Sequence, residues 1–202
     1  MNSRVKILVL VCLLIFLVMF VDCARRPIIL GKVFTQPNTD FKMYKRLAVT
    51  EFTPDPFVKK DKNLTCMFEE EFRKNGYDVV GMDKFNLVLE ECGYSNEDLS
   101  GTEALNRITE RLDISAVIKG KVNKYEVEEE KGYMSTFMTE YGIIRPYEMI
   151  YNCDISFSIE MIETKYGKRV WTCSVLGKRK TKKPEAFVMD MIRNCLNTIL
   201  KK

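Results

Sequence analysis

An α/β sandwich, with helices packed on a mixed and largely antiparallel sheet, is predicted by three observations. Apolar residues recur at helical spacing in four separate stretches, with Leu64, Phe85, Leu105 and Val188 near their starts. They alternate with polar residues at a period of two over 114–122, 153–161 and 171–175. The resulting order, β, α, β, α, α, β, β, β, α, matches neither an all-helical bundle nor an all-β sandwich.

The first element lies ahead of that domain. In "VKILVLVCLLIFLVMFVDCARRP" the apolar run from Ile7 to Val21 holds fifteen residues, short of the roughly 20 that a spanning helix needs. With Arg4 and Lys6 before it, it has the basic start and short apolar centre of a secretory signal, expected over residues 1–22. The exit is irregular, because Asp22 stands before Cys23 where a lipoprotein signal has a small residue. Three outcomes stay open: lipidation of Cys23, cleavage to a soluble exported product, or an uncleaved anchor. All three place the remaining chain outside the cytoplasm.

Residues 23–44 are polar, contain Pro27 and Pro37, and read as a tether or loosely packed arm. The domain is expected over 45–202. "RLAVTEF" is apolar on both faces, as in a central strand covered twice. Asn63 is placed as the cap of a helix carrying Leu64, Met67, Phe68 and Phe72, and Gly76 as its left-handed terminator. "YDVVG" is a strand. Asp83 then opens a helix with Phe85, Val88, Leu89 and Cys92 on one face, stopped by Gly93. Ser100 and Glu103 have capping-box spacing before Leu105, Ile108 and Leu112.

From Ile114 the period is two, with Ile114, Ala116, Ile118, Gly120 and Val122 on the buried side, until the phase shifts to Tyr125 and Val127. That shift predicts a bulge near Asn123 or the end of the sheet's cover. Cys153 to Met161 and Trp171 to Val175 form a hairpin turning near Tyr166 and Gly167, with Cys173 opposite Phe157 or Ile159. Pro184 starts the last helix, with Val188, Ile192, Cys195 and Ile199 on its stripe.

Composition narrows the chemistry. At 46% hydrophobic and 30% charged residues the chain has globular proportions. Its net charge of +4 becomes +3 without Arg4, Lys6 and Asp22, too weak a balance to imply an acidic partner. There is no histidine, which removes Ser/His/Asp and Cys/His catalysis and histidine-containing metal sites. Beyond Cys12 and Cys23, five scattered cysteines without a CxxC pair read as small core residues.

At this point "RLAVTEF", "GYDVVGMDKFNLVLEE", "RITERLDISAVIKGKVNKYE" and "SFSIEMIETKYGKRVWTCSV" follow one another in an order that resembles a superfamily of bacterial envelope lipoproteins. These are the curli-secretion (CsgG-like) and penicillin-binding-protein-activator (LpoB-like) proteins. The resemblance covers roughly residues 45–200. It rests most on Glu163, Thr164, Gly167, Val170 and Trp171 of the hairpin and on "LDISAVIKGKV" through Gly120. It implies an accessory or scaffold protein of the cell envelope, non-enzymatic, lipidated at the outer membrane and facing the periplasm, with several relatives forming assemblies. No long amphipathic stretch resembles a pore-forming hairpin, so a channel is not expected.

The candidate sites follow. Cys23 is the lipidation site under the first outcome, where several acyl chains together would hold the protein on a membrane. The excursion over 131–149 carries Phe137, Met138, Tyr141 and Ile143, side-chain types enriched where proteins dock. They either touch a partner or extend the flanking strands into a longer hairpin packed on the body. Lys178, Arg179, Lys180, Lys182 and Lys183 either lie against anionic headgroups or form a solvated connection. Glu126, Glu128, Glu129 and Glu130 lack the ligand spacing of a calcium loop and read as solvated charge. The expected partners are other envelope proteins, the membrane through its anchor and further copies of the chain. Nucleic acid, a cofactor and a metal are not expected. A ring-forming or auxiliary component of a transport system, and a histidine-independent envelope enzyme, are the alternatives.

Overall fold

The computed structural model describes residues 28–54, 62–95, 98–100, 102–133, 137–139, 142–144 and 147–200. The expected signal, Cys23 and Tyr141 lie outside them. In chain order the strands are β1 (Ile29–Thr35), β2 (Arg46–Val49), β3 (Thr53–Pro54), β4 (Asp78–Val80), β5 (Ala116–Tyr133), β6 (Phe137–Thr139), β7 (Gly142–Ile144), β8 (Tyr147–Glu163) and β9 (Arg169–Thr181). The helices are α1 (Lys62–Lys74), α2 (Met82–Glu91), α3 (Thr102–Leu112) and α4 (Pro184–Leu200). No helix among the described residues is long and apolar enough to cross a membrane.

The main sheet runs β1-β9-β8-β5-β2-β4, with β3 also paired to β5. Its long ladders, β1 with β9, β9 with β8 and β8 with β5, are antiparallel. The short pairings of β2 with β4 and of β2 and β3 with β5 are parallel. Cys173 lies opposite Ile159, and a register shift between Val122 and Lys124 puts the bulge at Asn123.

One face carries α1 and α4. There Leu64, Phe68 and Phe72 of α1 and Phe187, Met191, Cys195 and Ile199 of α4 bury Ile118, Phe157, Trp171 and Cys173. The Trp171 indole N–H donates to the Thr198 hydroxyl at 2.9 Å, so the one tryptophan is both enclosed and satisfied. Gly120 admits the Phe52 ring, since a Cβ there would stand 2.4 Å from it. On the other face α2 and α3 cover the β2-β4 corner, packing Phe85, Leu105 and Ile108 over Ala48, Val117 and Ile162.

Four expectations are corrected. Residues 29–35 are the edge strand β1 rather than a loose arm, and Phe41 and Tyr44 after it are buried. Asn63 is inside α1, which starts at Lys62. The helix expected to open at Asp83 starts one residue earlier, at Met82, whose N–H is taken by the Glu69 carboxylate of α1 at 2.8 Å, while Arg73 holds that carboxylate at 3.0 Å. The start of β5 is buried on both faces, because α2 and α3 cover Val117 as well. Gly76 and Gly93 do sit at positive φ, 87° and 74°, just past the helices they end.

Candidate interaction surface: a projecting hairpin arm

Strands β5 and β8 outrun the sheet that holds them. On one side the last parallel pairing of β5 among the described residues is that of Val122 with Pro54 of β3. On the other, β8 loses β9 after Tyr151, opposite Thr181. Pairing of β5 with β8 nevertheless continues from Glu130 opposite Ile150 to Tyr133 opposite Tyr147. Beyond that, β6 and β7 form a separate two-stranded piece with Phe137 opposite Ile144 and Met138 opposite Ile143. As far as Tyr133 and Tyr147, the excursion is therefore an arm continuous with the sheet.

The underside of its root is apolar, with Tyr125, Val127 and Tyr151 packed against the main core. The bulge at Asn123 sets this phase: without it, the side chains of Lys124 and Glu126 would point at α4 and those of Tyr125 and Val127 at water. On the upper side Gly132 lets Ile150 cross the arm, since a Cβ at that glycine would meet the Ile150 Cδ1.

The upper side also carries a ladder of cross-strand ion pairs. Lys124 lies 2.7 Å from Asp154 and 2.9 Å from Glu126, Lys178 lies 2.8 Å from Asp154, and Lys180 lies 2.7 Å from Glu130. Asn152 donates to Glu130 at 2.9 Å, and Lys182 reaches Glu148. Burial by itself would push the Asp154 carboxyl up, but hydrogen bonds from Lys124 and Lys178, with their charges, hold it below the usual carboxylate range. Hydrogen bonds from Lys180 and Asn152 likewise lower Glu130. Between the rungs is a depression of about 410 Å³ lined by Glu126, Glu128, Asn152, Asp154, Lys178 and Lys180, among others.

Of the expected sites, Phe137, Met138 and Ile143 fall together on the distal piece of the arm. Four of the five cations of the 178–183 run are committed to ion pairs: Lys178, Lys180 and Lys182 as above, and Arg179, which turns under the sheet to Asp190 at 3.5 Å and over the Phe187 ring at 5.6 Å. Lys183 is exposed just before α4. Glu126 and Glu130, expected as solvated charge, are also rungs. Asp154, Lys124 and Glu148 went unnoticed in the sequence. The signal for the first was present, because Cys173 opposite Ile159 places Lys178 opposite Asp154.

Chemically, the ladder offers charges already neutralised by one another, with no group set beside a base that would activate it. Among the described residues no cluster of three or more acidic or cysteine side chains is placed to hold a metal ion. Cys173 of β9 and Cys195 of α4 are buried in the same core, and burial raises the Cys195 thiol far above its ordinary value, which keeps it protonated.

No family model matches the sequence, and no curated protein does. Solved structures do match: the PelC dodecamer from Paraburkholderia phytofirmans aligns over 86% of this chain and 98% of its own at a TM-score of 0.54 and 11% identity. In fold, the chain is similar to PelC. Two further matches are lipoprotein GNA1162 from Neisseria meningitidis (TM-score 0.48, 15% identity, 78% of this chain and 99% of that one) and the LpoB C-terminal domain from Escherichia coli (TM-score 0.44, 9% identity, 66% and 82%). The likeness to PelC spans the whole body of the domain. At 11% identity it bears on the fold alone.

Proposed function

We propose that this protein is an exported, non-enzymatic accessory protein of the bacterial cell envelope, held at the outer membrane through Cys23 and facing the periplasm, that acts by binding other envelope proteins through its arm. The observation that carries this reading is the arm itself. A two-stranded ribbon running past its sheet on both sides is stabilised by its root and ion ladder. Phe137, Met138, Tyr141 and Ile143 are the contact residues under this proposal. The short apolar opening segment with Arg4 and Lys6 supports export. Lys178, Lys180 and Lys182 share their charge with acids of β5 and β8, so the lipid anchor supplies the membrane affinity and the basic run at most aids it.

The test is a photo-activated cross-linker placed at Phe137 or Tyr141 in the native host, with the same group at Lys119 on the open sheet face as control. Envelope proteins captured from the arm and not from Lys119 support the reading. Equal capture from both positions, or none from the arm, removes it. Labelling with a fatty acid in the wild type and in Cys23→Ala tests the anchor, and label persisting in the variant would exclude that cysteine.

A second reading, assembly in several copies, is favoured by the fold it shares with the PelC dodecamer. It is compatible with the first, since the arm and the flanks of the sheet are different surfaces.

A further inference from the structure

We infer that copies of this chain join head to tail, with strand β1 and the β8-β9 turn of one copy docked on the α2-α3 flank of the next. The inference rests on the assembly reading above and names its two surfaces. It is independent of what the arm binds.

Among the described residues, strand β1 is the outermost strand of the sheet and pairs only with β9. Natural edges are blunted by charge, brevity or proline. This one is seven residues long with a single lysine, Lys32, beside the register shift between Leu30 and Val33. Ile29, Leu30, Val33 and Phe34 are 39–53% exposed, and Leu176 beside them is 38% exposed. These side chains fall on both faces of the strand, so they clasp whatever covers them.

The surroundings of this edge are basic. The turn after β8 adjoins the end of β1, where the Gln36 N–H donates to the Val170 carbonyl at 2.9 Å. Its Lys165 and Lys168 are exposed, and their ammonium groups stand 5.0 and 5.4 Å from the ring centroid of Tyr166, itself 56% exposed, while Arg169 at the start of β9 is paired with Glu160 at 2.6 Å.

The opposite flank has the opposite sign. Residues 78–113 contain nine acidic and three basic residues, a net charge of −6, and the rest of the chain carries +10. On α2, Leu87 is 57% exposed. Its neighbours at three and four positions are Asp83, Lys84, Glu90 and Glu91, so a large apolar side chain sits in a mostly acidic ring. An apolar anchor with a charged rim is the anatomy of a docking site.

The occupant follows from geometry and charge. The flanks lie at opposite ends of the sheet, β1 at one and β4 at the other, so one copy cannot bring them together. A two-fold contact through either flank alone would set basic against basic or acidic against acidic, whereas a head-to-tail contact pairs opposite signs at every junction. A second copy of this chain is therefore the partner. Such a contact closes into a ring or runs on as a filament.

The experiment is sedimentation velocity on the full chain purified from membranes in detergent, at about 50 mM and 500 mM salt, with circular dichroism confirming that each variant is folded. The wild type is expected to sediment as more than a dimer at low salt and to dissociate at high salt. Lys165→Glu with Lys168→Glu, and separately Asp83→Lys with Glu90→Lys, should each weaken association at least tenfold. All four substitutions in one chain should restore it, because the charges are exchanged and not lost. A wild type assembling as before while both double variants assemble equally well overturns the surfaces named here and leaves the assembly reading intact. A monomeric wild type overturns both.

Discussion

Where β5 begins and where it ends, the molecule is held by different forces. At Ala116–Ile118 both faces are covered, and Ala116, Val117 and Ile118 are all fully buried between α1 and α4 on one side and α2 and α3 on the other. Past the bulge at Asn123 the same strand has one neighbour, apolar support from below only, and above it lysines and carboxylates joined across strands. The first region derives its stability from removing apolar surface from water, which salt does not screen. The second holds its shape by ion pairs in contact with solvent, each of modest worth and open to screening. A body stabilised in one way can carry an arm stabilised in another, so the arm can vary or bend without unfolding what it is mounted on.

Substitutions separate the two regimes. The largest effect belongs to Trp171→Ala, which empties the site under α4 and leaves the Thr198 hydroxyl without its donor. A loss of about 3–5 kcal/mol is expected, read as a lower urea midpoint, unchanged by added salt. Next is Gly120→Ala, whose new methyl would collide with the Phe52 ring, itself packed 4.9 Å from Phe68. About 1–3 kcal/mol is expected by the same measurement. A wild-type melting curve for Gly120→Ala would mean that this end of the body is looser than its packing implies.

Asp154→Asn should do least to global unfolding, because Lys124 and Lys178 remain partly solvated. Its signature is a loss that disappears in about 1 M salt. The same residue sets a pH dependence. Because its folded pKa is depressed, its contribution is complete above the unfolded value of about 3.9 and fades as pH falls through the lower folded value. Acid titration of wild type and Asp154→Asn should therefore converge at the acidic end. Curves that stay parallel throughout would remove the ladder as a pH-sensitive support.

The body was legible in the sequence wherever one periodicity ran long enough. The alternation over 153–161 and 171–175 marked both strands and narrowed their register to Phe157 or Ile159 opposite Cys173, and the phase change after Val122 marked the place of the bulge. Gly76 and Gly93 ended α1 and α2 because only a left-handed residue fits there. Strand β1 was hidden for the opposite reason: as an edge exposed on both faces, "ILGKVFT" has no buried side to impose a period. The cap on α2 was hidden because Glu69, thirteen residues earlier and on another helix, supplies it. The arm's aromatic and aliphatic composition marked it, while the ladder needed the pairing register before Asp154 and Lys178 could be seen as partners.

The central claim is that binding resides in the arm and folding does not, and one substitution addresses it directly. Tyr133 and Tyr147 are paired, so residues 134–146 can be replaced by Asn-Gly, a two-residue hairpin turn that keeps the ladder below. The measurement is recovery of envelope proteins by affinity purification through a tag on the full-length and shortened chains, from cells in which the shortened chain accumulates and melts as the wild type does. The account predicts that these proteins are lost. Their undiminished recovery would contradict it.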